Sequence, residues 1–436
     1  MSSFRRIEVL EVRCWGKLVG AVAQDPTLDL QVFEYSAEWN TKNIQLSPIH
    51  MRNRSGTYIF PQLSKSTFYG LPAMLADALP DDFGNAVIDA WLSEEGIDKE
   101  SISSLDRLAY AGERALGALT FHPAHSGLNG PGTSIALAEL VQSARIIVAG
   151  AINDSSSYKE ALLQLIQVGS SAGGARAKAL VQFNPSTEVI RSGYTNAESG
   201  FSPWLIKLDG VSKSADGSIN SLGVPEQFTR IEYGYYLMAC AAGIEMAESR
   251  LLLEGSRAHF LTKRFDRDSS GERIHYQSLC ALDHLDFRMQ DTHAYAQYLN
   301  VARKLNLRDD ELAQCFRRMV FNIFALNRDD HTKNFGFLLA ENSEWKLAPA
   351  FDLTYAFNPM GKWTQRHQMS VNGKFENISL TDIYTLGDMY SIPAYKKIVA
   401  DVGAVISQWR DFALLADVED HTSEFINRSI TNLQPK

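Results

Sequence analysis

Alternating and helically spaced apolar positions divide the chain into strand-rich and helix-rich stretches. In residues 9–15, the apolar residues Leu10, Val12 and Cys14 alternate with Val9, Glu11, Arg13 and Trp15, which is typical of a half-buried strand. Further along, apolar residues at spacings of three and four predict helices. The predicted strands lie at 9–15, 18–22, 179–183, 204–208, 251–254 and 258–265, and the predicted helices at 86–92, 137–149, 158–167, 226–242, 294–305, 309–326 and 392–415.

The order of these elements predicts an α+β protein with more than one lobe. A β-rich stretch with one helix follows residue 169, and a mainly helical stretch begins near residue 292. The segment 127–134 is rich in Gly, Pro and Ser and marks the best candidate for a break. We therefore expect an N-terminal subdomain at 1–130, a β-rich lobe with a glycine-rich loop at 131–290 and a helical lobe at 291–436.

Composition narrows the class of protein. The 436 residues are 45% apolar and 21% charged, which is ordinary for a folded chain, and no run approaches the ~18 apolar residues of a membrane helix. The start does not resemble a signal peptide, so a cytoplasmic protein is expected. Four scattered cysteines form no CxxC pair and indicate neither disulfides nor zinc. The net charge of -9 argues against direct binding of this chain to the nucleic-acid backbone, but it allows association with DNA through a partner protein.

Two segments in the second half of the chain carry candidate chemistry. Asp329 and Asn334 are separated by four residues, and Asp352 follows in an apolar, strand-like setting. A protein-kinase catalytic loop spaces its base and its metal-binding amide in the same way, with a second metal-binding aspartate downstream. Each aspartate alone is more simply a turn or cap residue. Together they predict Asp329 as base and Asn334 and Asp352 as oxygen ligands suited to Mg²⁺.

Candidate phosphate-binding residues precede this motif. Lys207 interrupts an apolar strand, where its ammonium needs anions, and Glu232 on the following helix is a candidate partner. A glycine-rich stretch ahead of the strand contains Gly173, Gly174 and Lys178, whose backbone amides and charge suit phosphate oxygens. It is not a Walker motif, and taken alone such a stretch is more often a surface loop.

The position of His331 inside the catalytic-looking loop admits several interpretations. No second His or Cys lies at a useful spacing, so a hydrogen-bonded residue that stiffens the loop is favoured over a metal ligand. We also include His331 among the candidate ATP contacts. The pattern Asp329-x-His331-x-x-Asn334 also fits lipid kinases, although no basic membrane-facing segment supports that alternative.

With these motifs the chain resembles the HipA-like serine/threonine kinases, the toxins of bacterial HipBA toxin–antitoxin pairs. The resemblance extends over nearly the whole chain and implies a bilobal protein-kinase-like fold with a β-rich N-terminal subdomain and a helical C-terminal lobe. Its ordered matches lie at 15–20, 33–39, 77–84, 116–121, 170–178, 204–208, 263–267, 329–335 and 351–353.

The resemblance also implies an activity and partners. It implies the use of ATP and Mg²⁺, with Lys207 on the nucleotide phosphates and the backbone from Lys263 to Phe265 near adenine. The implied substrate is a serine or threonine of a translation protein such as an aminoacyl-tRNA synthetase, with growth arrest and persistence as the outcome. The implied partner is a HipB-like helix-turn-helix antitoxin dimer, which provides most contact with operator DNA; no membrane is involved.

Members of this family phosphorylate a serine in their own glycine-rich loop, which ejects the loop and disables ATP binding. Ser170 is the favoured position in this chain, and Ser171 is the alternative. A phosphate adds a charge of about -1.5 to -2, which would compete with ATP phosphates in the same loop. The rival hypothesis is a catalytically idle nucleotide-binding corepressor that works with a DNA-binding antitoxin.

Overall fold

The computed structural model describes residues 6–94, 96–124, 137–149, 162, 165, 177–192, 199–211 and 227–435. Strands in these residues form two five-stranded sheets, one three-stranded sheet and one two-stranded sheet. They are β1 Val9–Cys14, β2 Lys17–Gln24, β3 Gln31–Tyr35, β4 Thr57–Tyr58, β5 Leu119–His122, β6 Lys178–Asn184, β7 Val189–Ser192, β8 Ser202–Lys207, β9 Ser249–Glu254, β10 Arg257–Lys263, β11 His275–Ser278, β12 His293–Ala294, β13 Gly336–Leu339, β14 Trp345–Leu347 and β15 Met369–Ser370.

The helices of the described residues lie mostly in the second half of the chain. They are α1 Ala37–Asn40, α2 Lys65–Phe68, α3 Ala73–Ala76, α4 Asp82–Glu94, α5 Ser104–Ala111, α6 Leu137–Ala149, α7 Phe228–Ala241, α8 Leu279–Leu282, α9 Tyr295–Lys304, α10 Asp309–Phe324, α11 Leu380–Met389, α12 Tyr395–Ile406, α13 Trp409–Leu415 and α14 Asp420–Leu433. None of these helices is both long and apolar enough to cross a membrane.

The N-terminal sheet confirms the strand pattern at the start of the chain. Its order is β4-β3-β2-β1-β5, and alternate residues of β1, beginning with Leu10, are buried. Trp15 and Gly16 join β1 to β2 with φ of 51° and 72°. A two-residue turn with both φ positive matches the natural twist of a hairpin, which accounts for glycine at its second position.

The second sheet has the order β7-β6-β8-β10-β9, with the single helix α7 following β8 in the described chain. The predicted strands, the hairpin and the helix at 226–242 are therefore confirmed. In the antiparallel register of β6 and β8, Lys178 is the partner of Lys207. Because directly paired residues point to the same face of a sheet, the two lysines share one face.

The helical lobe surrounds the largest apolar core, and α9 and α10 confirm the predicted helices there. The pattern at 392–415 is divided between α12 and α13, with Ser407 and Gln408 between them. Trp409 explains the break, because its ring is fully buried against α7, where a Cβ on Gly234 would lie 3.2 Å from it. The predicted helix at 158–167 falls almost entirely outside the described residues.

The N-terminal subdomain is joined to the rest of the chain by buried hydrogen bonds that we call the seam. Its apolar core continues into Cys280 and Ala281 of α8. Gly117 lies so close to the backbone of Tyr276 that a Cβ at this position would be 2.9 Å from the Tyr276 nitrogen. Its φ of +84° is a second reason for glycine at this position. The seam consists of Gly117 N–H to Asp266 (2.7 Å), Ser278 N–H and Oγ–H to Asp77 (2.6 and 2.8 Å), and His275 Nε2 with the Leu46 carbonyl (2.9 Å).

The three predicted regions share structural elements at their edges. Strand β11 precedes the predicted boundary at residue 290 but pairs with β13 beyond it. Helix α4, from the N-terminal region, contributes buried apolar residues to the core beneath the β6–β10 sheet. The domain boundaries themselves stay a prediction.

Candidate active site

A cleft lies between the β6–β10 sheet and the helical lobe. Its volume is about 940 Å³ including its open mouth, within the range of ligand-binding pockets. Strands of the sheet, the segment after β10 and the two motif segments of the helical lobe all contribute to its walls. The predicted site residues that line it are Lys178, Lys207, Lys263, Phe265, Asn334 and Asp352.

Lys207 is held between two carboxylates at the end of β8. Its ammonium lies 2.5 Å from Glu232 Oε1 and also contacts Asp352 Oδ1, and its side chain is only 12% exposed. Burial acts to lower the pKa of Lys207, but Asp352 and Glu232 outweigh burial and raise it. The predicted Lys207–Glu232 contact is confirmed, and the lysine is a fixed positive charge in the cleft.

Asp352 combines a strained backbone position with an accessible side chain. Its φ is 54°, a left-handed conformation that aspartate tolerates better than most residues. Burial acts to raise the pKa of Asp352, but the ammonium of Lys207 and then that of Lys178 hold it at about 2. The side chain is 27% exposed, so an ionised carboxylate faces the cleft with room for a further ligand.

Lys178 is paired with a residue to which sequence reasoning assigned no role. Its ammonium lies 3.2 Å from Asp81 Oδ2, and the side chains are 4% and 1% exposed. Asp81 also accepts a 2.6 Å hydrogen bond from the Gly84 N–H at the start of α4. The only signal was that Asp81 lies in the family-like segment 77–84. The N-terminal subdomain thus places a carboxylate beside the cleft.

The loop that contains Asp329 is closed by its own asparagine. Asn334 Nδ2 donates to the Asp329 carbonyl at 2.8 Å across a 3₁₀ turn at Thr332–Asn334. Asn334 lines the cleft, whereas Asp329 is not among the lining residues and its side chain is 40% exposed. The Trp363 indole N–H donates to Asp329 Oδ1 at 2.6 Å. Sequence reasoning did not single out Trp363.

Asp330 anchors this loop through hydrogen bonds of its buried carboxylate, a role that the sequence did not reveal. It is 1% exposed and accepts hydrogen bonds from the Tyr295 hydroxyl at 2.6 Å and the Gln368 N–H at 2.8 Å. His367 Nδ1 lies 2.9 Å from the same carboxylate. The buried carboxylate therefore ties the Asp329 loop to α9 and to the segment before β15.

The remaining predicted contacts lie at or beside the cleft. His331 packs on Phe287 with ring centroids 5.1 Å apart, and its Nε2 is 3.8 Å from Asp329 Oδ1. His331 does not line the cleft, so its contact with ATP stays a prediction. Its buried Nδ1 has no hydrogen-bond partner among the described residues, so the expected hydrogen-bonded role is not confirmed. In the wall of the cleft, the Phe265 ring lies 5.5 Å from that of Phe351, and the Lys263 N–H donates to the Glu248 carbonyl at 2.8 Å.

Some predicted residues lie outside the described chain, namely Ser170, Ser171, Gly173 and Gly174. Within the described ranges, no group of three or more His, Cys, Asp or Glu side chains could hold a metal ion. Asp352 and Asn334 provide one carboxylate and one amide. That small set suits Mg²⁺, which is commonly held by one or two carboxylates together with substrate phosphates.

Comparisons with known proteins bear on the fold and the family of this chain. HipA of Shewanella oneidensis MR-1, solved with HipB and its operator DNA, has the same fold with a TM-score of 0.65, at 16% identity over 97% of this chain and 95% of that one. A Haemophilus influenzae (strain ATCC 51907 / DSM 11121 / KW20 / Rd) protein named "Putative kinase" is 28% identical over 176 residues, which are 35% of this chain. The match spans about half of that relative, 51% of its length.

Two family models match consecutive parts of the chain. The HipA N-terminal domain matches residues 10–122, and the HipA-like C-terminal domain matches residues 170–409, more than half of the sequence. The fold is accordingly the bilobal, kinase-like α+β fold of HipA, with a β-rich N-terminal subdomain and a helical C-terminal lobe. The chain belongs to the HipA-like family.

Proposed function

We propose that this protein is an ATP-dependent kinase that phosphorylates serine or threonine residues of a protein. The observation that carries the proposal is the contact of Lys207 with both Glu232 and Asp352, in a cleft that Asn334 also lines. A cation held by a helix glutamate beside a metal-binding aspartate is the arrangement on which protein kinases depend.

The residues of the cleft fit ATP with Mg²⁺. Lys207 and Lys178 lie on one face of the sheet as register partners and would hold phosphate oxygens. Asp352 and Asn334 would hold Mg²⁺, and the backbone from Lys263 to Phe265 would face adenine. When bound, ATP with Mg²⁺ supplies the phosphoryl group that is transferred and neutralises part of its charge.

Asp329 would act as the base toward the acceptor hydroxyl. Its half-exposed carboxylate can reach a group outside the cleft wall, and Asn334 holds the backbone of the loop in place. A carboxylate that receives a proton as the hydroxyl oxygen attacks commonly contributes ~10²–10⁴ to the rate. The His331 ring packs on Phe287 beside this loop.

We further propose that the chain is the toxin of a toxin–antitoxin pair. Its partner would be a HipB-like helix-turn-helix antitoxin dimer that carries most of the contact with operator DNA. The fold shared with HipA of the HipA, HipB and operator DNA complex supports this assignment. The substrate would be a translation protein such as an aminoacyl-tRNA synthetase, and Ser170 or Ser171 would be phosphorylated by the protein itself.

The first experiment is incubation of the purified chain with labelled ATP and Mg²⁺, with Asp329→Ala as the matched variant. We expect one added phosphate by intact mass on the wild type and none on Asp329→Ala. A folded wild type that transfers no phosphate to itself or to proteins of a cell extract would contradict the proposal and leave the idle corepressor as the better hypothesis. Label in phosphoinositide vesicles instead of protein would indicate a lipid kinase.

The substrate is then found by comparing cells that express the wild type with cells that express Asp329→Ala. Phosphorylated serines or threonines present only with the wild type are the candidate targets. We expect a translation protein among them. Targets confined to other processes would overturn that part of the proposal and leave the kinase activity intact.

A further inference from the structure

Trp363 makes direct contact with the proposed base. Its indole N–H donates to Asp329 Oδ1 at 2.6 Å, and its ring lies edge-on to His331 with centroids 6.3 Å apart. Hydrogen bonds from a donor to an ionised carboxylate are shorter and stronger than those between neutral groups. The contact therefore restricts how the carboxylate can rotate.

The segment that carries Trp363 is attached to the catalytic loop independently of this bond. The Gln368 N–H donates to buried Asp330 at 2.8 Å, and Gln368 Nε2 donates to the Trp363 carbonyl. Arg328 also donates to the carbonyl of Gln365. The side chains of Arg328 and Asp330, on either side of Asp329, thus hold the tryptophan segment, so the indole position is set by bonds other than its own contact with the exposed carboxylate.

The two oxygens of Asp329 have different surroundings. Oδ1 receives the Trp363 indole, and His331 Nε2 lies 3.8 Å from the same oxygen. Oδ2 receives no hydrogen bond from any residue that the structure describes, and the side chain is 40% exposed. One oxygen is therefore held by the protein, and the other is available to an acceptor group.

From this asymmetry we infer that Trp363 is a positioning residue, which holds Asp329 so that Oδ2 meets the acceptor hydroxyl. The inference rests on the proposed kinase activity. In Trp363→Phe the ring volume is largely kept, but the N–H is lost and the carboxylate can rotate. Misplacement of a reacting group by about 1 Å costs as much as ~10²-fold in rate. We expect kcat to fall about 10- to 100-fold with the KM for ATP unchanged, because Trp363 does not line the cleft.

Trp345→Phe is the matched control. The Trp345 indole donates to the Gln45 carbonyl at 3.1 Å, away from the cleft, so this variant loses an indole bond without touching Asp329. We expect its kcat and KM to equal those of the wild type. A Trp363→Phe enzyme as fast as the wild type would overturn the inference. A faster enzyme would also overturn it and show that the indole blocks the acceptor.

A measurement that does not depend on activity tests the contact itself. In protein labelled with ¹⁵N at the tryptophan indoles, Asp329→Asn should shift the Trp363 indole proton upfield, since a neutral amide accepts more weakly than a carboxylate. The Trp345 resonance should stay in place. An unmoved Trp363 resonance overturns the inference whatever the enzyme activity, whereas an inactive wild type with a shifted resonance contradicts only the proposed function.

Discussion

Asp266 of the seam and Asp352 of the second motif segment both border the cleft as carboxylates beside cations, yet their surroundings differ. Asp266 is fully buried, whereas the Asp352 side chain is 27% exposed. Burial acts to raise both pKa values, and neighbouring cations hold both below the usual value of a carboxyl group. For Asp266 these cations are Arg264 and Arg267, and for Asp352 they are Lys207 and Lys178.

The number of partners separates the two roles. Asp266 accepts four hydrogen bonds, from Nε and Nη2 of Arg264, from Arg267 and from the Gly117 N–H, which equal in number the roughly four lone-pair sites of a carboxylate. Asp352 is held through Oδ1 by Lys207 and remains accessible. A carboxylate with all its bonds satisfied joins two parts of the protein, and a partly satisfied one can take a ligand. Exposure and remaining bonding capacity, rather than pKa, distinguish them.

The largest expected effect comes from Asp352→Asn. The amide keeps the shape of the side chain but loses the charge proposed to hold Mg²⁺, so phosphoryl transfer should fall ~10³-fold or more. Lys207 keeps Glu232 as a partner, so the free energy of unfolding should change less than in the seam variant below. Labelled-ATP assays and urea denaturation measure the two quantities. Activity within tenfold of the wild type would contradict the prediction and show that Asp352, like Asp266, has a structural role.

Asp266→Asn should give the opposite result. Removal of the carboxylate charge from this buried ion network typically costs about 3–5 kcal/mol of stability. The rate per folded molecule should fall far less than in Asp352→Asn. The control is Asp401→Asn in the exposed Lys397–Asp401 pair, where less than about 1 kcal/mol is expected. Equal losses in the two variants would show that the seam contributes no more than a surface pair.

The seam should also make stability depend on pH through His275. Burial lowers the pKa of His275 to about 4, below the ~6.5 of an unfolded chain. Between these values the unfolded state binds a proton that the folded state does not, so stability is fully present above ~6.5 and is lost as pH falls toward 4. The loss should reach about 3 kcal/mol.

His275→Gln tests this effect because glutamine does not titrate. Denaturant midpoints measured from pH 7.5 to 4.5 should fall more steeply for the wild type than for this variant. His421→Gln, which changes an exposed histidine, serves as the control and should follow the wild-type slope. Parallel curves for the wild type and His275→Gln would mean that this histidine takes up its proton without unfolding.

The smallest expected effect concerns Asp81, which is as buried as the seam residues but is paired with a lysine of the cleft. Asp81→Asn keeps the Gly84 bond geometry and loses the charge opposite Lys178. We expect about 1–3 kcal/mol of lost stability. ATP should bind up to several-fold tighter, because Lys178 is no longer neutralised. Calorimetric titration with ATP measures this, and weaker binding would show that Asp81 instead orients the lysine.

Local patterns were sufficient for much of the fold. The alternation that begins at Val9 predicted β1, and the spacing of apolar residues after residue 309 predicted α10. Both elements bury one face, and the residues of that face recur at a fixed short spacing along the chain. The break between α12 and α13 was not predicted. It depends on where Trp409 packs against Gly234 of a distant helix, and no local period records such a contact.

The candidate site divides in the same way. The sequence by itself determined the candidate catalytic loop, with its spacing from Asp329 to Asn334, and the candidate phosphate-binding lysine at 207, because residue type and separation constrain that chemistry locally. Only the tertiary structure decided that Asp81 meets Lys178 and that Trp363 holds Asp329. Asp81 and Lys178 come from different regions of the chain, which meet only when those regions pack together. Trp363 lies 34 residues beyond Asp329 in the same lobe, and the fold of the intervening chain, rather than any motif, brings the two side chains together.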